Sequence, residues 1–331
     1  MLENGGRVGQ KTLSLRKIMG LKDSVLSELI KAENFVSGEQ LAEKFGKSRA
    51  AVWKAIKALE KEGYKIDAVT NKGYYLADSN ILSKPAIEAG LGHSEIEVLY
   101  YSKTDSTNNR AKQILAEGKG GTFLVVANEQ TAGRGRQGKS FYSPENTGIY
   151  MSLVIHPNTN MQNAVTATTA AAVAVCRAIE AMTDVKPEIK WVNDVYVNGE
   201  KICGILTEAV FDFETETVSG VVIGIGVNVT TSEFPQGVEN AGALNANINR
   251  AKFVAKIADE LFEIAMDDYG TFIDYYRSHS MIIGKKIKFI QNDVETFATA
   301  LEIDDTGGLV VKTDDGKTQT LRTGEVTVRR V

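Results

Sequence analysis

Asn198-Gly199, set between the strand-like runs Lys190–Val197 and Glu200–Glu208, is the strongest hairpin signal in the chain. Asn-Gly suits the left-handed backbone that a two-residue hairpin turn requires. Such a turn pairs Val197 with Glu200 and Tyr196 with Lys201. Counting by two along the strands, Lys190, Asp194 and Lys201 then project from one sheet face. Two lysines and an aspartate there are consistent with a plain cross-strand ion pair. They are equally consistent with a carboxylate-and-phosphate clamp beside a base.

Further strands flank this hairpin. Val98–Tyr101 is read as a strand leading into Asp105-Ser106-Thr107-Asn108 at a helix start. The hydroxyls there serve either as caps or as receptors for a polar, uncharged ligand group. The apolar run Thr122–Ala127 ends in a loop containing Gly133-Arg134-Gly135-Arg136. Glycine lets backbone approach a ligand closely, and arginine offers bidentate donors to phosphate or carboxylate. A Gly/Arg-rich RNA tract would be long and repetitive; this loop is short and lies between strands. No Walker lysine motif occurs, so a nucleotide would be held by arginine and backbone. The apolar run Val221–Val229 carries Gly224 and Gly226, which suggests a ligand lying against the strand backbone. Alternating strands and helices indicate a mixed α/β (α+β) layer.

Upstream, the pattern is helical. Val25, Leu26, Leu29 and Ile30 recur at helical spacing, and Ser37-Gly38-Glu39-Gln40 is a capping box opening a second helix that stops at Gly46. Ser48 caps a third helix reaching Lys61, with Val52, Ile56 and Leu59 on one face and Lys54, Lys57 and Lys61 on the other. Two strands around Asn71-Lys72-Gly73 form a wing. Eight basic residues between Lys44 and Lys72 face three acids, a net of +5 within a chain of net charge −4. A winged helix-turn-helix over residues 21–80 that binds DNA through Arg49, Lys54, Lys57, Lys61 and Lys72 follows from that combination.

With 331 residues there is room for two or three domains. Residues 1–20 are expected to be a disordered extension, with Met19 a candidate start. The polar stretch 78–85 reads as a linker to a domain spanning 84–281. Asn249–Ser280 reads as one long helix, and the short strands of 282–331 as a small SH3-like β-barrel. Two isolated cysteines and three scattered histidines argue against a disulfide framework or a dedicated metal site, and fit a reducing cytoplasm. No signal peptide is evident. Ala164–Met182 reads as a buried Ala-rich helix rather than a membrane span.

Taken together, Asp105–Asn108, Gly133–Arg136, Lys190–Asp194, Lys201–Leu206 and Gly224–Asn228, in this order behind a winged helix, resemble the bifunctional biotin–protein ligases that double as biotin operon repressors. The resemblance runs from about residue 21 to the end. It implies a central mixed-sheet domain of the biotin/lipoate ligase type. It implies formation of biotinyl-5′-AMP from biotin and Mg-ATP, then transfer of biotin to a lysine of a biotin carboxyl carrier domain. Biotinyl-5′-AMP would also act as co-repressor, promoting a homodimer on operator DNA.

By the same resemblance Ser106, Thr107, Asn108 and Gln130 would meet biotin, with Gly133, Arg134, Gly135 and Arg136 folding over it. Gly204, Leu206, Gly224 and Gly226 would line its other sides, and Lys201 would contact carboxylate and phosphate. Arg136, Phe141, Lys190, Asn193, Asn228 and Arg329 would hold the nucleotide. Arg134, Lys201 and Asp194 would be the catalytic group, Asp194 orienting or deprotonating the acceptor lysine. Phe141 stands where the family usually has tryptophan, and Val192 where it has proline. A lipoate ligase and a purely sensing repressor are the alternatives. The former lacks a winged-helix head and this loop, and the latter is disfavoured by the intact Lys201, Arg134 and Arg136.

Overall fold

Serine side chains cap the second and third helices in the computed structural model, which describes residues 20–77, 79–156, 164–212, 217–238, 240–266, 271–291, 294–322 and 325–328. Apart from Gly20, the expected N-terminal extension, including Met19, lies outside the described residues. The chain divides into two compact units, Met1–Asp78 and Ser79–Val331.

The first unit contains α1 (Leu21–Lys31), α2 (Gly38–Phe45), α3 (Arg49–Lys61), β1 (Ile66–Val69) and β2 (Gly73–Leu76). Ser37 Oγ accepts the Gln40 N–H at 3.0 Å while Gln40 Oε1 accepts the Ser37 N–H at 3.0 Å, so two orphan donors at the start of α2 are satisfied reciprocally. Gly46, with φ +60°, ends α2 in the left-handed conformation that glycine adopts without strain. Ser48 Oγ then caps α3. Val52, Ile56 and Leu59 of α3 are fully buried with Val25, Leu26 and Leu29 of α1. Strands β1 and β2 pair antiparallel as the expected wing.

The second unit begins with α4 (Lys84–Gly90), β3 (Glu97–Thr104), α5 (Thr107–Ala116), β4 (Phe123–Gln130), β5 (Gly148–Ile155) and α6 (Ala164–Met182). It continues through β6 (Glu188–Lys190), β7 (Asp194–Val197), β8 (Glu200–Asp212), β9 (Thr217–Asn228), α7 (Arg250–Met266) and α8 (Thr271–Ser278). Last come β10 (Lys286–Gln291), β11 (Val294–Ile303), β12 (Leu309–Thr313), β13 (Thr318–Leu321) and β14 (Glu325–Val328). Strands β3 to β9 form a seven-stranded sheet in the order β3-β4-β5-β9-β8-β7-β6. The β3–β4 pair is parallel and the remaining neighbours are antiparallel, which is the mixed layer expected.

Alternation decides what each face meets. Ile149, Met151, Leu153, Ile223, Ile225 and Val227 enter a large core with α6 and α7. On the opposite face Val125, Val154 and Val222 pack in a smaller core with Ala111 and Leu115 of α5. Helix α6 is long and apolar enough to cross a membrane, yet most of it is buried inside this core. Strands β10 to β14 form a second, antiparallel sheet whose Ile287, Phe289 and Ala298 join the large core.

One reading differs from the structure. The stretch taken as a linker already starts α4 at Lys84, because Ser83 Oγ caps it and Pro85 occupies its first turn. Of the long helix expected over Asn249–Ser280, α7 and α8 are helical as expected, and residues 267–270 between them lie outside the described residues.

Candidate functional site

On the α5 face, the half of the sheet that α5 leaves uncovered forms a cleft of about 290 Å³. The cleft is bounded by the start of α5, by β8 and β9, and by the Gly-Arg loop between β4 and β5. Lys201 enters it because of a β-bulge. Ile202 and Cys203 are consecutive, yet both point into the large core. The register accordingly shifts from Tyr196↔Lys201 to Val195↔Cys203 and Asp194↔Gly204. Lys201, Gly204, Leu206 and Glu208 therefore share the cleft face. The Lys201 ammonium lies 2.7 Å from Asp194 Oδ1, and Asp194 pairs in register with Lys190. The three residues expected on one face are thus brought together. The Lys201 backbone is held by its N–H donating to Asn240 O and its carbonyl accepting the Gly242 N–H. Burial, followed by the Asp194 charge, pushes the neighbouring Tyr196 phenol up to about 12, so it stays neutral.

At the other end lies a polar network. The Ser106 side chain makes no capping bond, although Ser106 occupies the N-cap of α5. Gln130 Oε1 instead accepts the Thr107 N–H at 2.8 Å, and Gln130 Nε2 donates to Ser143 Oγ at 2.8 Å. Asn108 fits against Gly224, where a β-carbon would overlap the Asn108 amide. Its Nδ2 donates to Leu206 O at 3.1 Å and Glu208 Oε2 at 2.8 Å, while Ser152 Oγ lies 2.6 Å from Oδ1. Burial pushes the Glu208 carboxyl up. Hydrogen bonds from Lys112 and Asn108, with the charges of Lys112 and Arg134, outweigh that and hold it below its ordinary range.

The loop reaches both walls. Arg134 Nη1 donates to Asn109 Oδ1 at 3.1 Å, and Arg136 Nη1 donates to Asn193 Oδ1 at 3.1 Å. A single 3-10 turn at Arg136–Gly138 lies within it. Phe141 follows the turn and seats its ring on Gly226, where a β-carbon would come within 2.6 Å of it. The glycines of β9 thus make room first for the protein's own Asn108 and Phe141, rather than for a ligand resting directly on the strand. Beyond Phe141 lies a larger groove of about 1130 Å³ that includes Gly133, Tyr142, Asn228, Phe234 and Val238. Lys201, Gln130 and Phe141 line both spaces.

Lys190, Asn193, Gly135 and the remaining expected biotin-site residues line the cleft, whereas Gly133 and Asn228 belong to the groove. Arg329 lies outside the described residues. Sequence reading did not single out Trp191, which also lines the cleft, nor Lys112, Ser152 and Glu208 of the polar network. Parity along β5 and β8 is the signal that would have found Ser152 and Glu208, once the bulge is counted. The Trp191–Val192 peptide is cis. Trp191 Nε1 donates to Gly307 O at 2.9 Å, so the C-terminal sheet supports the cleft wall. Among the described residues no group of three His, Cys, Asp or Glu side chains is placed to hold a metal ion.

In the first unit Arg49, Lys54, Lys57 and Lys61 lie exposed on α3, and Lys72 is exposed at the wing tip. Lys57 shares its charge with Glu60 at 2.6 Å. Trp53, also unremarked in the sequence, is 52% exposed on the same helix. A bulky apolar ring beside lysines offers contact to base edges as well as phosphates.

Comparisons with known proteins agree with this division. Residues 100–228 match the biotin/lipoate A/B protein ligase family, residues 22–75 an HTH domain, and residues 282–329 the biotin protein ligase C-terminal domain. The chain is 36% identical over 297 residues to the bifunctional ligase/repressor BirA of Bacillus spizizenii, covering 85% of this chain and 90% of that one. It is 29% identical over 316 residues to the bifunctional ligase/repressor BirA of Escherichia coli, covering 92% and 96%. The solved structure of a biotin protein ligase from Aquifex aeolicus in complex with biotin and ATP is similar at 25% identity and a TM-score of 0.60, over 71% of this chain and 99% of that one.

Proposed function

The chain belongs to the bifunctional biotin–protein ligase/repressor family, and from that membership we propose how its own residues divide the work. The protein is an ATP-dependent ligase that forms biotinyl-5′-AMP and transfers biotin to a lysine of a biotin carboxyl carrier domain. It is also a DNA-binding repressor with that adenylate as co-repressor. The observation that carries the site assignment is the position of Lys201, which lines both the cleft and the adjoining groove. A biotin carboxylate in the cleft and an ATP α-phosphate in the groove would meet there.

In the first step a carboxylate oxygen bonds to the α-phosphorus while the bond to pyrophosphate breaks. Two anions approach, so positive charge must surround the developing centre. Lys201 supplies it at the junction, and Arg134 and Arg136 supply it from the loop. Magnesium would arrive on the ATP phosphates; among the described residues no group of three His, Cys, Asp or Glu side chains is placed to hold it. Ser106, Thr107, Asn108 and Gln130 form the neutral polar end suited to the ureido ring of biotin. Phe141 and Asn228 flank the nucleotide in the groove, and Asn193 and Lys190 approach its α-phosphate from the cleft side. In the second step the acceptor lysine attacks the acyl carbon and AMP leaves. Asp194, 2.7 Å from Lys201, is the group that would orient that amine or take its proton.

The basic face of α3 and the wing enter operator DNA, and a homodimer formed in the adenylate-bound state doubles the contact. The cytoplasm is the setting in which carrier, ATP and operator occur together. Intact-mass measurement of an acetyl-CoA carboxylase carrier domain, after incubation with biotin, Mg-ATP and the protein, tests the ligase. One added biotin per carrier with wild type, and almost none with Lys201→Ala, is the expected result. Unmodified carrier with wild type would leave a purely sensing protein.

A further inference from the structure

Glu208 lies one step beyond Leu206 on the cleft face of β8, where an acid would be expected to face solvent. Instead its side chain is 21% exposed and takes three cationic or amide partners. Lys112 Nζ donates to Oε1 at 2.8 Å, Asn108 Nδ2 donates to Oε2 at 2.8 Å, and Arg134 Nη1 stands 3.7 Å from Oε1. A carboxylate can only accept, so it forces the NH₂ end of Asn108 toward itself and turns Oδ1 to the Ser152 hydroxyl. A neutral amide in its place could accept or donate, and would leave only the Leu206 carbonyl to hold the NH₂ end of Asn108. The same carboxylate attracts Arg134, which α5 already holds through Asn109. The first arginine of the loop is thereby anchored on the α5 wall, and the second on Asn193 across the cleft.

We propose that Glu208 is a positioning residue for the biotin end of the cleft, orienting the Asn108 amide and holding Arg134 over α5, with Lys112 as its counter-ion. This rests on the ligase reading above. Glu208 does not touch the reacting atoms. Arg134 stays tethered to Asn109, and Lys201 and Arg136 still bring charge to the reacting centre, so loss of Glu208 falls chiefly on ground-state biotin contacts and raises KM for biotin far more than it lowers kcat. A merely structural acid, present to neutralise the half-buried Lys112, would lower stability without that split.

The experiment compares full-length wild type, Glu208→Gln and the double variant Glu208→Gln/Lys112→Met. Biotin affinity is measured by calorimetry, adenylate formation by pyrophosphate release, and folding by thermal melting. Glu208→Gln is expected to weaken biotin binding and raise KM about tenfold, with kcat within about twofold. The double variant removes the unbalanced ammonium and is expected to recover the melting temperature but not the affinity. Recovery of affinity in the double variant would overturn the proposal, as would unchanged affinity in Glu208→Gln. A wild type that binds biotin but releases no pyrophosphate would sink the ligase reading instead, while the affinity ratios would still decide the role of Glu208.

Discussion

Lys201 and Asp194 neutralise each other at 2.7 Å, so substituting either one exposes the other's charge. Lys201→Ala removes the cation from the junction of cleft and groove and leaves Asp194 to repel the incoming phosphate. Adenylate formation should fall by roughly 10²–10³, read as pyrophosphate release, as for loss of one preorganised donor to a developing charge. Asp194→Ala frees the lysine and removes the candidate base. Transfer from preformed adenylate to the carrier should slow by roughly 10² and more than adenylate formation does. Equal losses in the two half-reactions would exclude that role. The residue types were legible in the sequence, and so was the Asp194–Lys201 adjacency, because an Asn-Gly turn fixes the pairing beside it. Glu208 was not legible as a member of the site. Simple alternation from Lys201 places Cys203 and Ile205 on the cleft face, and the bulge at Ile202 reverses that assignment.

Elements carry their own tests. Strand β9 passes under Asn108 at Gly224, where any β-carbon would overlap the amide. Gly224→Ala should destabilise the second unit by about 1–3 kcal/mol, seen as a melting temperature lowered by roughly 2–10 °C. An unchanged melting temperature would mean that Asn108 can leave its seat freely. The turn after β11 offers a pH test. Burial pushes the Asp304 carboxyl up, but donation from Gly308, Thr306 and Arg322 holds it below its ordinary value. A folded-state pKa below the unfolded one means that its stabilisation is present above the unfolded value, about 3.9, and is lost as pH falls through the folded value. Wild type should therefore lose this share of stability below about pH 4, whereas Asp304→Asn should be weaker at pH 7 and show a shallower acid limb. Parallel acid limbs in the two proteins would contradict this. The turn matters because Gly307 O, within it, holds Trp191 on the cleft wall. Its hairpin chemistry was legible from Asp304–Gly308; its long-range bond to Trp191 was not, since nothing local encodes it.

For the whole molecule, two jobs predict two dependencies. Operator affinity, measured by fluorescence anisotropy, should rise when biotin and ATP are added together, and should rise less when either is omitted. Indifference to both would remove the co-repressor role while leaving DNA binding. Substituting Lys54 or Lys61 should weaken binding across DNA sequences and reduce the salt slope by about one, whereas Trp53→Ala should relax sequence preference. A Trp53→Ala protein with unchanged preference would place that ring outside the base edges.

By itself the sequence determined the winged helix-turn-helix, the mixed layer and the chemical character of the site. Caps, an Asn-Gly turn and the order of short motifs are local signals that a few neighbouring residues enforce. Only the tertiary structure decided which side chains fill the glycine notches, that Glu208 turns inward, and that Phe141 stands between cleft and groove. These depend on one added residue in β8 and on contacts between segments a hundred or more positions apart, such as Asn108 with Glu208. Packing, not local preference, sets such positions, because close approach of backbone and side chain is judged only when the whole sheet has formed.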